Sequence, residues 1–370
     1  MRLVHLSDTH LGYSAYSGID PTLGINQREA DVYNAFRQAV DKAIELAPDV
    51  VVHAGDLFHK VRPVNNAIDV ALKQLLRLSE EGIEVVLISG NHSTPRFRET
   101  GNIFSVFEHL KHIHPVHEPG CGKIVAGDLT IHAIPHSTTP SLSDVLSTTK
   151  PSGETSKNVL LLHAGVVGAE TYRMDEFNEQ TVSAQSLEDD WDYVALGHYH
   201  EFKEVLKKAY YSGSTERLSF TEAGQEKGIV EVDLDKGKVR LHPLTIRDML
   251  DIPALDASGL SSSEIMTRSR DAISSQPIED KIARFTIRNV ASDAHRALDF
   301  PAIRRLGSSS LHFDLRIDRA EEEGKVRGGE TQIGLLEDEF RKYVLALETS
   351  DDRKNKLLAL GAPYLARGEE

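Results

Sequence analysis

Side chains able to hold a metal ion recur at the ends of short apolar runs in this sequence. "SDTH" places Asp8 and His10 one residue apart, "GDLFH" places Asp56 three residues before His59, and "SGNH" delivers Asn91 and His92 together. Further on, "VLLLHAG" reaches His163, and "YVALGHYH" ends on His198 and His200. Taken singly, each is weak: a strand-borne histidine such as His53 is more often a satisfied core residue, and Asp56 after Gly55 reads equally as a turn or N-cap. Five run ends in this order carry more. Carboxylate, amide oxygen and neutral imidazole form a mixed donor set, which suits Mn²⁺, Fe²⁺ or Zn²⁺ better than Mg²⁺ or Ca²⁺. Two such ions about 3.5–4 Å apart need a shared carboxylate, and Asp56 is the natural bridge. Such a pair favours hydrolysis of a phosphate ester, because it lowers the pKa of a water and neutralises charge on the phosphoryl oxygens. The leaving oxygen also needs a proton. His92 can supply it, since imidazole titrates near neutral pH, or it serves to orient a ligand.

Residues so far apart in sequence must be brought together by the elements that carry them. Residues 2–7, 49–54 and 84–89 are short and rich in Val, Ile and Leu. Between them Val32, Ala35, Phe36, Ala39, Val40 and Ala43 keep helical spacing, as do Ile68, Ala71, Leu72, Leu75 and Leu76. This is a βαβαβ opening. Extended character continues at 128–134, 158–163, 192–196, 203–206 and 209–212, and a hairpin over 228–244 turns at "DKGK". Carboxyl ends of strands in an α/β sheet converge on one edge, so the polar run ends meet there. The expectation is a layered α/β domain over 1–245.

The pattern then changes. Residues 246–278 are Ser- and Asp-rich and poorly periodic, while 282–288 and 311–317 alternate apolar and polar around a helix-like 294–306. We read 246–320 as a small accessory domain of β-α-β type, in which Arg268, Arg270, Arg284, Arg288, Arg296, Arg304, Arg305 and Arg316 offer either a DNA-facing surface or ordinary solvated charge. Charged and Gly-containing residues make 321–330 a linker. In the tail, 331–370, Leu336, Phe340, Tyr343, Val344 and Leu347 form an apolar stripe that so small a helical segment cannot bury by itself.

Bulk composition excludes several classes. The 370-residue chain carries a formal charge of −15, against non-specific wrapping of nucleic acid by the whole surface. A lone cysteine, Cys121, leaves neither an internal disulfide nor a cysteine zinc cluster and fits a reducing compartment. With no apolar leader after Met1 and no span-length apolar run, we expect a cytoplasmic protein that does not enter membranes.

The order D-x-H, G-D-x-x-H, G-N-H, H, G-H-x-H resembles the calcineurin-like metallophosphoesterases. Among them "LSDTHLG", "AGDLFHKVRP", "SGNHSTP", "ALGHYH" and "YSGSTERLSF" are most similar to the SbcD-type nuclease subunits, which process DNA double-strand breaks with a coiled-coil ATPase. The likeness covers about 1–245; beyond that only the layout is similar. It implies a layered αββα sandwich with a small α+β capping domain and a C-terminal helical tail. It further implies Asp8, His10 and His200 around one ion, Asn91, His163 and His198 around the other, manganese as the metal, and DNA as the substrate. A homodimer through helices of the nuclease domain and an SbcC-like ATPase bound by the tail complete the expectation. Phosphoprotein phosphatases show "DRG" where this chain has "FHKVRP", which singles out His59: it contacts the scissile phosphate or caps the site, or is a plain loop residue. Tyr211–Phe220 resembles the loop that closes on the site, where Arg217 meets a phosphate or a surface carboxylate. One departure stands out, Ser93 in place of an acidic residue. A small-molecule phosphodiesterase or phosphatase would use the same metals without needing the accessory domain and tail. A binding scaffold would have lost ligands, and none is missing.

Overall fold

The structure is a computed structural model that describes residues 1–95, 100–137, 139–168, 179–320, 340–341, 343–345 and 349–365. Strand β1 (Arg2–Leu6), helix α1 (Gln27–Leu46), β2 (Val50–His53), α2 (Asn65–Glu80) and β3 (Glu84–Ile88) follow in the expected βαβαβ order. Next come β4 (Ile113–Val116), β5 (Gly122–Ala126), β6 (Leu129–Ile134), α3 (Leu142–Thr148) and β7 (Lys157–His163). A short parallel pair, β8 (Gly165–Val167) and β9 (Thr181–Ser183), precedes β10 (Tyr193–Gly197), β11 (Lys203–Leu206) and β12 (Ala209–Tyr211). The expected hairpin is β13 (Gly228–Asp233) with β14 (Lys238–Pro243).

Two six-stranded sheets result, ordered β14-β13-β1-β2-β3-β4 and β11-β12-β10-β7-β6-β5. Alternation along the strands explains the layering. Leu3, Val50, Val52, Val86 and Ile88 of the first sheet meet Ile131, Val159, Leu161 and Ala195 of the second in one core. Their neighbours Val4, Val51, Val85 and Leu87 pack instead against Val32, Phe36, Val40 and Leu75 of α1 and α2. On the far side, Leu160, Leu162 and Leu196 pack on Leu142 and Leu146 of α3. Central strands are thus buried on both faces, which is why they read as unbroken apolar runs. The architecture is the αββα sandwich.

A third, three-stranded sheet has its own core. It is built from β15 (Met249–Asp256), α4 (Ser262–Ser274), β16 (Ile282–Val290), α5 (Ser292–Ala297), α6 (Phe300–Leu306) and β17 (His312–Arg319). Ile252, Ile265, Ile273, Phe285, Ile287 and Ile303 form that core. Here the structure departs from the sequence reading, since residues 246–278 hold a strand and a helix. The helix starts on a capping box of Ser261 and Glu264 and buries only Ile265, Ser269 and Ile273, a stripe one residue wide that leaves little periodic signal. The helix expected over 294–306 is two short ones, the second capped by Asp299 with proline in its first turn.

Charged contacts fasten this module to the sandwich. Asp31 of α1 accepts from Arg247 Nε at 2.8 Å and Nη2 at 3.1 Å, and from Arg28 Nη1 at 2.7 Å. Arg284 lies 4.5 Å above the ring of Phe220. The chain divides into Met1–Asp318 and Arg319–Glu370. In the second unit Phe340, Tyr343 and Val344 are helical, and α7 (Asp351–Leu365) follows. Val344 is buried, whereas Tyr343 and Leu360 are exposed. The expected linker at 321–330, with Leu336 and Leu347 of the stripe, lies outside the described residues. Among the described residues no helix is long and apolar enough to cross a membrane.

Candidate metal centre

Five strands deliver the candidate ligands to one edge of the sandwich: β1, β2 and β3 from one sheet, β7 and β10 from the other. The loops after β1 and β2 are laced together by Asp8 N–H to Gly55 O and His10 N–H to Asp56 O, both 3.0 Å, and by Leu11 N–H to Leu57 O at 2.8 Å. That lacing holds the side chains in a backbone conformation they would not otherwise choose. Asp8, His10, Asp56 and His198 have φ of 50°, 45°, 52° and 101°, in the left-handed half that costs a non-glycine residue about 1–3 kcal/mol. The motif glycines have a separate purpose, close approach. A Cβ on Gly90 would lie 2.2 Å from Asp56 Oδ1, and one on Gly197 would lie 1.9 Å from the carbonyl oxygen of Ala54.

The donor atoms converge. Asp8, His10 and His200 each place a ligand atom within 4.8 Å of the others, as do Asp8, Asp56 and His163, and as do His10, His59 and His92. His10 Nε2 faces His200 Nε2 at 3.2 Å. His163 Nε2 lies 2.9 Å from Asn91 Oδ1 and 3.3 Å from Asp56 Oδ2. His198 donates its backbone N–H to Asp8 at 3.1 Å, and its ring lies 5.3 Å from that of His163. None of Asp8, His10, Asp56, Asn91, His163, His198 and His200 is more than 9% exposed.

Hydrogen bonds decide which ring nitrogens are bare. A carbonyl can only accept, so His163 carries its hydrogen on Nδ1, which donates to Ala54 O at 2.8 Å. Its Nε2 is thereby aimed at two oxygen acceptors. Buried acceptors converging in this way are satisfied by a second proton on the ring or by a cation among them. The electrostatics carry the same demand. Burial works to lower the pKa of His163, yet Asp56 and Asp8 outweigh it and lift it to about 9. Burial works to raise Asp56, yet His163, His10 and His92 hold it far below the usual carboxylate range. His10 is driven well down by burial, with His200, His92 and His59 adding to the effect against Asp56. Positive charge is wanted beside Asp56, and a proton on His163 or a divalent ion among these donors would supply it, whereas burial keeps His10 neutral. Oxygen and imidazole donors in this arrangement fit divalent ions.

His59 and His92 stand apart, being only partly buried. Their rings stack at 5.2 Å and 26°, His59 Nδ1 is 3.3 Å from His10 Nδ1, and His92 Nδ1 donates to His59 O at 3.0 Å. They form the exposed margin of the cluster. His92 also donates its backbone N–H to Asp56 Oδ1 at 3.0 Å. Ser93 is fully buried, and its hydroxyl has no hydrogen-bond partner among the described residues. Arg217 is 9% exposed, and its guanidinium donates to Gln225 O at 2.7 and 3.0 Å and to Arg247 O at 3.1 Å. Those donors are spent on the protein.

Sequence reasoning missed three supports. Glu222 Oε1 accepts from His200 Nδ1 at 3.0 Å, Lys227 Nζ pairs with Glu222 Oε2 at 2.6 Å, and Glu179 Oε1 lies 3.4 Å from His198 Nε2. Burial works to raise Glu222, but His200 and Lys227 prevail and hold it at about 2. No spacing rule links Glu222 to His200, because they meet only through the loop between them.

A two-sheet sandwich with helices on both faces and mixed carboxylate–histidine clusters at its strand ends defines a metallophosphoesterase. The chain belongs to the calcineurin-like phosphoesterase family, which matches residues 1–202. It is 32% identical over 244 residues to the DNA double-strand break repair protein Mre11 of Methanococcus maripaludis, covering 61% of this chain and 60% of that protein. It is 35% identical over 206 residues to the protein of the same name from Saccharolobus solfataricus, covering 54% and 49%. Against the Archaeoglobus fulgidus protein of that name the identity is 26% over 355 residues, covering 87% and 76%. The chain thus spans between half and three-quarters of the length of these relatives.

Proposed function

We propose that the protein is a nuclease that hydrolyses DNA phosphodiester bonds with two divalent ions, manganese by preference, in double-strand-break processing. The observation that carries this reading is the His59–His92 stack at the exposed margin of the donor cluster, 3.3 Å from His10. A phosphodiester approaching the buried donors meets these two imidazoles first. Similarity to proteins named for DNA double-strand break repair supports DNA as the substrate.

Asp8, His10 and His200 would hold one ion, Asn91, His163 and His198 the other, with Asp56 shared between them. Ions bound there supply Lewis acidity toward the phosphoryl oxygens and a water acidified enough to attack. His92 stabilises or protonates the leaving oxygen; its Nδ1–H is fixed on the His59 carbonyl, which orients the ring. His59 holds His92 by that bond and by stacking. Arg284, Arg288 and Arg316 line one groove of the accessory module together with Asp251 and Asp318, supporting a DNA path along that face.

Exposed Val64 at the N-cap of α2, Leu76 on that helix and Val106 in the 3₁₀ turn at Ile103–His109 support a homodimer through the helical side of the nuclease domain. The tail, with Tyr343 and Leu360 exposed, is assigned to a coiled-coil ATPase of SbcC type, and the setting to the cytoplasm.

Purified protein with Mn²⁺, offered blunt duplex DNA, hairpin DNA and an aryl phosphodiester in parallel, tests the substrate. Cleavage of DNA is expected; hydrolysis of the aryl ester alone would make the protein a small-molecule phosphodiesterase. Truncation after Arg319 should leave that cleavage intact and eliminate co-purification with the ATPase. If truncation instead unfolds the chain, the tail belongs to its own core.

A further inference from the structure

We propose that Glu222 is a positioning residue for His200, and that the buried Glu222–Lys227 pair sets the affinity of one metal ion while leaving the other unaffected. The proposal rests on the two-ion reading of the site. Glu222 ends the 3₁₀ turn Phe220–Glu222 and is 3% exposed; Lys227, at the start of the β13 hairpin, is 2% exposed. Every polar atom of the pair is engaged. Glu222 Oε1 accepts from His200 Nδ1 at 3.0 Å, and Oε2 accepts from Lys227 Nζ at 2.6 Å and from Ser214 Oγ at 3.3 Å. The same Nζ donates to His200 O at 2.6 Å and Gln225 Oε1 at 2.9 Å. Lys227 therefore grips both the carboxylate and the backbone of the residue that the carboxylate orients.

Stability alone gives little reason for such a pair. Desolvating a carboxylate and an ammonium costs several kcal/mol each, and well-packed apolar residues in place of a buried ion pair are commonly as stable. The geometry gives a better reason. With its hydrogen fixed on Nδ1 by Glu222, His200 keeps a bare Nε2 pointed at the Asp8–His10 donors. A carboxylate partner also strengthens that lone pair as a donor. His163, on the other side of the cluster, is oriented by the neutral carbonyl of Ala54. The two halves of the site are thus tuned unequally, one by an anion and one by a dipole. Lys227 completes the arrangement, since an uncompensated third carboxylate behind Asp8 and Asp56 would compete for the cation itself.

The test uses the full chain, titrated with Mn²⁺ while free ion is followed by electron paramagnetic resonance. Glu222→Gln keeps the shape and an acceptor for His200 Nδ1–H but removes the charge. Its expected result is one ion bound about ten- to a hundred-fold more weakly and the second at wild-type affinity. Because that variant strands the Lys227 ammonium, Glu222→Gln/Lys227→Met, which removes both charges, should fold and show the same one-ion loss. Two ions at wild-type affinity, equal weakening of both, or a double variant that fails to fold would each overturn the proposal. Wild-type protein that never takes up two Mn²⁺ would overturn the two-ion reading beneath it.

Discussion

At the carboxyl edge of the sandwich, two aspartates and four histidines are buried with four unfavourable φ values, whereas the accessory module buries apolar side chains and, among polar ones, only Ser269. Its charges stay near the surface, as in the Arg284–Asp251 and Arg316–Asp314 pairs. Exposed pairs of that kind contribute at most about 1 kcal/mol. The contrast shows where folding free energy has been traded for chemistry. Imidazoles and carboxylates are crowded at the edge in an arrangement that fits divalent ions, and the surrounding sheets bear the cost. The module has left-handed φ only at exposed Asp280 (57°) and Asn289 (58°), away from any such cluster, and its stability should be independent of metal.

The sharpest way to break this contrast is at Asp56, the carboxylate proposed to be shared. Asp56→Ala should abolish both bound metal and hydrolysis while leaving the module folded; two ions per chain in that variant, counted by atomic emission, would refute the ligand assignment. His92→Ser is its complement. It should keep its metal and lose about 10²–10⁴-fold in rate, as expected when only proton chemistry is removed. Metal loss there would make His92 a ligand or the support of one. The smallest effect on chemistry belongs to the module: Phe285→Ala, at a fully buried position, should cost about 3–5 kcal/mol of stability with metal content unchanged. Denaturant titration reads the first quantity and metal analysis the second.

The site was far more legible in the sequence than the module. Asp8, Asp56, Asn91, His163 and His198 each follow or end an apolar run, so a two-faced core strand announces the polar residue at its tip. His5 and His53 sit inside such strands and behave as core residues, the first bonded to Tyr193 Oη at 3.0 Å and the second to Thr9 Oγ1 at 3.1 Å. In the module, α4 touches its core through so narrow a stripe that composition hid the helix. The partners of the candidate ligands were invisible for another reason. Glu222 and Lys227 look like any surface charges in a loop, and only the three-dimensional path of 200–227 buries them against His200.

Asp31 holds a junction whose consequence is one of inheritance. Two guanidiniums converge on it, one from its own helix and one from the first residues of the module, while Arg28 also donates to Arg217 O at 2.5 Å and Arg217 in turn to Arg247 O at 3.1 Å. These four residues close a ring through the helix, the Tyr211–Phe220 loop and the module. A module exchanged at residue 245 for a foreign one would arrive without the arginine that completes the ring. It would leave Arg28 and Asp31 paired and a backbone carbonyl at 247 for Arg217, but the module would lose the side-chain clasp on Asp31. Shuffling of such modules between relatives is therefore constrained by position 247 more than by the module's own core, and the two parts must change in step.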